Sequence, residues 1–180
     1  GAKYSLLGYD YELNSAQDST GTLFTMGDFN ENISTFNSFV SWKHRLSEDI
    51  TIVAGVQNMN VLYNKKSTIE PRLQVDWKLN GTSSLNAGYG KHSTMESVHN
   101  YFTRVKQADG TVSEPNKNLD LLKADHFVLG YEKRFGENLR LKAESYYQHL
   151  YNLPVENNSN SSYATLNEGI DFRYVELVNK

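Results

Sequence analysis

Regular alternation of apolar and polar residues is the feature that most constrains how this chain can fold. Residues 72–90, RLQVDWKLNGTSSLNAGYG, hold two alternating runs on either side of Asn80-Gly81-Thr82. Successive side chains of a β-strand point to opposite faces of the sheet, so a period of two predicts strands with one apolar and one polar face. The apolar face then meets either a protein core or lipid. The polar face meets either bulk water or a water-filled lumen.

Three tight turns join strands whose apolar faces match. They lie at Ser47-Glu48-Asp49, Asn80-Gly81-Thr82 and Gly136-Glu137-Asn138. Three-residue connections are common in β-hairpins, and an odd loop length keeps the apolar positions of both strands on one face. The predicted cross-strand pairs are Trp42 with Ala54, Val40 with Val56, Trp77 with Leu85, Val75 with Ala87, Leu73 with Tyr89, Tyr131 with Ala143 and Phe127 with Tyr147.

The whole chain predicts an all-β fold, an antiparallel up-and-down meander of about eight long strands. Stretches rich in Asn, Ser, Thr, Asp and Gly separate them at 13–34, 59–66, 92–123 and 153–167, and we expect these to be loops, although another hairpin within 13–34 stays open. Tight turns then lie at one end of the sheet and long loops at the other. Strands of soluble proteins usually have about 5 or 6 residues, whereas tilted membrane strands need about 9 to 11. The predicted strands are 3–12, 35–46, 50–58, 67–79, 83–91, 124–135, 139–152 and 168–178.

Composition excludes several other classes of protein. No apolar run approaches the ~18 residues of a membrane helix, which leaves a β-barrel as the membrane alternative. The absence of cysteine excludes disulfides and cysteine-ligated metals. A net charge of −3 suggests no polyanionic partner, so we expect no nucleic-acid binding. Twelve Tyr and eight Phe favour strands over helices.

The apolar face has the features of a surface that meets lipid. Aromatic residues cluster near both strand ends, as in the aromatic girdles of outer-membrane barrels. The outward polar exceptions His44 and Lys133 lie near tight turns, where they can reach the headgroup region. On the polar face, Arg134 is expected opposite Arg140, which is unfavourable unless an acid intervenes. The residues predicted to face lipid are Trp42, Leu73, Val75, Trp77, Leu85, Phe127, Leu129 and Tyr131.

Three segments carry a resemblance to a known family. They are STIEPRLQVDWKLNGTSSLNAGYGKHS, PNKNLDLLKADHFVLGYEKRFGENLRLKAESYYQHLYNLPVE and LNEGIDF…ELVNK, which span most of residues 67–180. In order and spacing they resemble the C-terminal part of the barrel of TonB-dependent outer-membrane receptors, especially those whose plug follows a carboxypeptidase-regulatory-like domain. The first 66 residues match only in pattern.

This resemblance implies a segment of a 22-stranded barrel with a plug inside, in the outer membrane of a Gram-negative bacterium. TonB would act on the plug and drive uptake of a metal chelate, cobalamin or a glycan. The chain shows no plug and no TonB box, and it ends in VNK where such barrels commonly carry an aromatic residue. We therefore expect residues 1–180 to be one partial barrel domain whose partners are outer-membrane lipid, the missing plug and, through the plug, TonB.

The sequence offers no catalytic constellation. It lacks a phosphate-binding loop, a G-x-S-x-G motif and an H-E-x-x-H motif, and its five histidines have no metal-ligand spacing. We therefore expect no enzymatic activity, no cofactor and no metal site.

The longest predicted loop is the candidate for ligand binding. It contains Tyr101 and Phe102 beside Arg104 and Lys106. Aromatic rings beside cations can stack on a sugar or a chelator and offset negative charge, so these four residues are the predicted cargo contacts. The alternative is that the two aromatics only anchor the loop against the barrel rim.

Two other functions stay open at this point. Eight strands can close on themselves, so the chain can also be a self-contained outer-membrane barrel with a structural or adhesive role. A soluble β-sandwich that serves as a binding module, for example for carbohydrate, would show the same alternation.

Overall fold

A computed structural model describes residues 1–16, 23–107, 109–167 and 173–180. About 67% of the structure is strand, and the described residues also hold one short helix and two turns of 3₁₀-helix at Pro115–Asn118 and Thr165–Asn167. In chain order the elements are β1 Ala2–Ala16, β2 Leu23–Arg45, β3 Ile50–Val61, β4 Lys66–Lys78, β5 Ser83–Thr94, α1 Val98–Tyr101, β6 Val105–Lys106, β7 Val112–Ser113, β8 Leu122–Phe135, β9 Leu139–Tyr151, β10 Pro154–Glu156 and β11 Leu177–Asn179.

The long strands form one antiparallel meander. Their order is β1-β2-β3-β4-β5-β8-β9, and the sheet curls into a half-barrel. The predicted all-β up-and-down fold is confirmed. A β-sandwich requires two sheets packed face to face, and in the described part of the chain the long strands make a single sheet.

The strand register follows from the three-residue turns. Trp42 pairs with Ala54, Trp77 with Leu85 and Phe127 with Tyr147, and every other predicted pair is confirmed as well. Cross-strand neighbours share a face, so the register alone separates the apolar residues from the polar ones.

The three tight turns lie at one end of the sheet, which we call the turn end, and side-chain hydrogen bonds stabilise them. The Asn80 Oδ1 atom accepts hydrogen bonds from the backbone N–H groups of Thr82 and Ser83 at 3.0 and 2.9 Å. The Ser47 hydroxyl oxygen accepts a hydrogen bond from the Ile50 N–H at 3.0 Å. Gly136 has a φ of 64°, a left-handed conformation that glycine adopts without steric cost. Side chains that mimic a backbone turn explain why Asn and Ser occupy these positions.

The prediction that residues 13–34 form a loop is wrong for the described part of that range. β1 runs to Ala16 and β2 begins at Leu23, while 17–22 lie outside the described residues. The reason is a reversal of polarity along the hairpin. The face that carries Tyr4 and Phe36 continues with Asn30 and other polar residues, and the opposite face becomes apolar. Asn-rich strand sequence of this kind reads as loop composition.

The last predicted strand differs as well. Of the range 168–178, residues 168–172 lie outside the described part, and the strand there is confined to Leu177–Asn179. That strand pairs with Pro154–Glu156 in a separate ladder. The described main sheet therefore has seven strands, one fewer than expected. The predicted loop 92–123 is also more ordered than expected, since it holds α1, the β6–β7 hairpin and a 3₁₀ turn.

The Arg134–Arg140 pair is confirmed, and an acid does intervene. The Glu132 carboxylate contacts both guanidinium groups, with 3.6 Å to the Arg134 Nε atom. Like charges placed directly across a ladder repel, so Glu132 makes this arrangement tolerable.

Replacing Glu132 by glutamine should lower the thermal stability of the folded protein, and the loss should be larger at low salt than at high salt. The substitution leaves the two arginines facing each other, and salt screens their repulsion. Glu144→Gln is the matched control because Glu144 contacts only Lys142 among the described ion pairs. Melting temperatures at two ionic strengths test this, and an equal salt dependence in both variants would contradict it.

Buried apolar residues gather at the other end of the sheet, the loop end. The loop that follows β5 lies there against the inner surface of β2 and β3, and the C-terminal segment closes the cluster. This arrangement places the core inside the mouth of the half-barrel. The cluster consists of Phe29, Ile33, Val61, Tyr101, Phe102, Leu119, Leu121 and Leu177.

Candidate functional site

The outer face of the sheet is apolar and exposed. By register, the eight residues predicted to face lipid all lie on this one face, opposite the face that carries Arg72. Trp42 is 55% exposed and Leu129 is 56% exposed. Soluble monomers rarely show large contiguous apolar patches, so this face is suited to an apolar environment.

Polar groups border the apolar face at both ends. At the turn end, the Trp42 and His44 rings stack with centroids 5.0 Å apart, and the Lys133 Nζ atom lies 5.2 Å from the Phe135 ring centroid. At the loop end, the Tyr89 hydroxyl donates a hydrogen bond to the Asp125 carboxylate at 2.9 Å. Amphipathic side chains of this kind suit the two surfaces of a bilayer.

The height of the apolar face matches a bilayer. On β4 the outward residues run without a charge from Trp77 to Ile69. Eight steps along a strand cover roughly 26 Å, and strand tilt reduces the vertical span. The apolar band of outer-membrane barrels is about 25 Å tall. No helix in the described part of the chain is long and apolar enough to cross a membrane.

The inner face is polar and contains a hollow of about 460 Å³ where glycines replace side chains on neighbouring strands. Gly55 and Gly88 line it together with Arg72 and His92. The Arg72 Nη2 atom lies 3.4 Å from the His92 Nδ1 atom. A Cβ atom at Gly90 would lie 2.9 Å from the His92 ring, so the glycine leaves room for this ring against the inner face of the sheet. The inner face can therefore present polar and cationic groups to whatever occupies the lumen.

The structure places the predicted cargo-binding aromatics inside the molecule. Tyr101 is 1% exposed and Phe102 is 5% exposed. Phe102 stacks on Phe29 with ring centroids 4.0 Å apart, and Tyr63 packs beside it. This burial supports the alternative interpretation, in which the aromatics anchor the loop.

The two cations of the predicted site lie beside the anchor. Arg104 forms ion pairs with Asp28 at 3.3 Å and with Glu114 at 3.4 Å, which ties the loop to β2. Lys106 lies in the short β6–β7 hairpin. A role in cargo binding for Tyr101, Phe102, Arg104 and Lys106 stays a prediction.

Sequence reasoning missed a set of asparagines that fasten the loop end. The buried Asn116 side chain donates to the Val175 carbonyl at 2.8 Å and accepts from the Leu177 N–H at 2.8 Å. Asn179 accepts from the Asp120 N–H at 2.9 Å, and Asn152 donates to the Leu121 carbonyl at 2.7 Å. These side chains replace strand pairing where the backbone is irregular. In sequence they are indistinguishable from ordinary loop asparagines.

Burial affects the ionisation of two tyrosines in this cluster. Burial raises the pKa of Tyr101 to about 12, although a hydrogen bond from the Glu96 N–H opposes the rise. Burial, with the nearby Glu114 and Glu31 carboxylates, also raises the pKa of Tyr63 to about 12. Both hydroxyls stay protonated in the folded protein at a pH where exposed tyrosines ionise.

The docked loop should therefore lose stability as the pH rises from about 10 to about 12, because an undocked tyrosine releases its proton near pH 10. Below pH 10 this contribution is fully present, and it disappears as the pH passes the folded-state value. Limited proteolysis of the loop against pH tests this. The Tyr63→Phe/Tyr101→Phe double variant should flatten the profile, whereas Tyr146→Phe, an exposed tyrosine, should leave it unchanged. An unaltered profile in the double variant would refute the assignment.

The described residues contain no group of three or more His, Cys, Asp or Glu side chains that could hold a metal ion.

A family model described as TonB dependent receptor-like, beta-barrel matches residues 1–176 of the chain. No curated protein and no solved structure matches the chain.

Proposed function

Since the chain belongs to the TonB-dependent receptor-like β-barrel family, we propose that it forms part of an outer-membrane receptor that takes up a cargo compound with energy supplied through TonB. Residues 1–180 are one partial barrel domain in this proposal. The family is an outer-membrane family of Gram-negative bacteria, and the proposed location of this chain is that membrane.

One observation carries the proposal: the sheet separates an exposed apolar outer face from a polar inner face. A sheet of this kind is suited to stand between lipid and an aqueous lumen. The seven long strands pair on both sides except at β1 and β9, so within the described residues the sheet is open at its two edges. A receptor barrel continues such a sheet on both sides.

The proposed cargo is a metal chelate, cobalamin or a glycan. The long connections emerge together at the loop end, which in this class of barrel faces the outside of the cell. The anchored loop narrows the mouth of the half-barrel, so cargo would pass beside it to reach the inner wall. The proposed role consists of binding and translocation, and no residue is assigned a catalytic step.

Fractionation of cells that express the receptor containing residues 1–180 tests the location and fold. We expect heat-modifiable protein in the outer membrane, since a folded barrel migrates differently from the unfolded chain on gels. Uptake of labelled candidate cargos by cells with and without the gene, each with and without a functional TonB, then tests the transport role. Uptake that requires both genes supports the proposal. Recovery of the protein in the soluble fraction would count against the proposal. So would a result in which none of the candidate cargos is taken up in a receptor-dependent way.

A further inference from the structure

The ladder between the central strands β4 and β5 stops short of the loop end. Both strands continue beyond their last pair, Arg72 with Gly90. On their other sides the pairing is complete, since β4 pairs with β3 throughout residues 66–71 and β5 pairs with β8 throughout residues 91–94. The described part of the sheet therefore has a gap in its backbone pairing between residues 66–71 and 91–94, which we call the seam.

Pro71 explains why the ladder stops at this point. The Leu79 N–H donates to the Ser83 carbonyl at 2.9 Å, and in an antiparallel ladder the hydrogen-bonded pairs recur at every second residue. Odd-numbered residues of β4 therefore direct their N–H groups toward β5, and Pro71 is the next such residue after Leu73. Proline has no N–H, so it cannot donate the bond that would continue the ladder to Lys91. Proline is rare in central strands for this reason, and here it marks the start of the seam.

A single buried carboxylate bridges the seam in place of the ladder. The Ser93 N–H, which points toward β4, donates to the Glu70 Oε1 atom at 3.1 Å. The Ser93 hydroxyl donates to the same carboxylate oxygen at 2.7 Å and lies 3.0 Å from the Thr68 hydroxyl. The other carboxylate oxygen lies 3.3 Å from the Arg72 Nη2 atom. Glu70 is 2% exposed and Thr68 is 7% exposed, so side-chain contacts shielded from water hold the two strands together here.

The docked loop joins the two sides of the seam at its open end. It follows directly from β5, and it contacts the turn that precedes β4. Tyr63 of that turn packs against Phe102 of the loop with ring centroids 5.0 Å apart, and the Asn64 side chain donates to the Leu119 carbonyl at 2.9 Å. Two sets of contacts therefore keep the seam closed, those of the Glu70 carboxylate and those of the docked loop.

We propose that the seam is a hinge in the wall of the half-barrel. When the docked loop is released, the parts of β4 and β5 beyond Arg72 separate and the mouth widens. Local opening occurs where few backbone hydrogen bonds must be broken, and at the seam only side-chain contacts join the two strands. Below Arg72 the ladder is complete and resists separation. The hinge is a property of the fold, so it depends neither on the identity of the cargo nor on TonB.

Thiol labelling of the intact receptor tests the hinge. Residues 1–180 contain no cysteine, and any cysteine elsewhere in the receptor is replaced by serine. Thr68→Cys places a thiol in the seam, and Ala124→Cys places one on β8, a strand that is paired on both sides. Thr68 and Ala124 are 7% and 8% exposed, so the two thiols begin with matched burial. A water-soluble maleimide should modify the seam thiol about tenfold faster, because fewer hydrogen bonds oppose its exposure.

Release of the docked loop should widen this difference. Adding Phe102→Ala should accelerate labelling of Thr68→Cys about tenfold more and leave Ala124→Cys unchanged, since only the seam loses one of its two sets of contacts. If the Phe102→Ala background does not fold, Glu70→Gln replaces it, because loss of the charge weakens the hydrogen bonds from Ser93. If Thr68→Cys does not fold, hydrogen exchange over residues 66–71 replaces labelling, with residues 122–127 of β8 as the reference.

Three outcomes would overturn the inference. Equal labelling of the two thiols would mean that the seam opens no more often than a complete ladder. An unchanged rate at Thr68→Cys after release of the loop would mean that the loop does not keep the seam closed. Equal acceleration at Ala124→Cys would mean that the whole loop end loosens without a hinge. A receptor that folds in the outer membrane and gives any of these results would contradict this inference alone, whereas a receptor absent from that membrane would contradict the proposed function.

Discussion

Replacing Leu73 by arginine should destabilise the folded, membrane-inserted protein by about 2–4 kcal/mol. Leu73 is the middle outward residue of β4, with two apolar positions on either side between Trp77 and Ile69. A cation at this depth must be buried in hydrocarbon or must distort the bilayer around it. The neighbouring change Gln74→Arg should cost much less, since Gln74 faces the lumen beside Asp76.

The two variants introduce the same residue on opposite faces of β4, so a difference between them reports which face is apolar in its surroundings. Both variants introduce arginine at adjacent positions of the same strand, so the added side chain and the change in net charge are the same. Urea titration of the receptor in lipid vesicles measures the difference in unfolding free energy. Equal losses would mean that the apolar face does not meet lipid.

Truncating Phe102 to alanine should release the loop that follows β5 while leaving the sheet intact. The ring is 5% exposed and stacks on Phe29, and removal of a buried phenylalanine typically costs about 3–5 kcal/mol. That loss removes the main apolar contact of the loop and leaves it held mainly by polar contacts, those of Arg104 and Asn116 among them. The long strands should persist because their ladders do not depend on the loop.

Trypsin reports this release directly, because the loop contains Arg104, Lys106 and Lys117. Cleavage there should accelerate strongly in Phe102→Ala, with heat-modifiable folding retained. Val112→Ala is the control, since Val112 lies in the same loop and is 52% exposed. Exposed truncations of this size usually change stability by less than about 0.5 kcal/mol. Protection from trypsin that survives in Phe102→Ala would contradict the anchoring role.

Sequence reasoning succeeded where the rules are local. The pairing of Trp77 with Leu85 follows from a three-residue turn and a period of two, since a slip by one residue would turn the apolar set over. An acid between Arg134 and Arg140 is expected because like charges directly across a ladder repel, and Glu132 is that acid. The tight hairpins and the two faces were predictable for the same reason.

It failed where distant parts of the chain meet. The sequence predicts a loop for the upper part of β1 and β2, because Asn30 and Asn32 face outward beyond the apolar region while Phe29 and Ile33 face the docked loop. The burial of Phe102 depends on that same contact. Two adjacent aromatics beside cations look alike whether they stack on a ligand or on another part of the protein. Which of the two occurs depends on the group that the aromatic rings contact, and the sequence of the loop alone does not identify that group.

The reversal of polarity along β1 and β2 also fixes the vertical position of the protein. Outward residues include the apolar Tyr4, Leu6 and Phe36 on one side of the change, and from Asn32 onward the outward residues of β2 are polar as far as Asp28. Sinking the hairpin by one pair of residues would bring Asn32 into hydrocarbon, and raising it would expose Phe36 to water. Both shifts cost free energy, so the point where the outward face turns from apolar to polar favours one position relative to the bilayer surface. The part of the hairpin beyond this change would lie outside the bilayer, and with the polar groups that border the apolar face on the other strands it would set the depth of insertion.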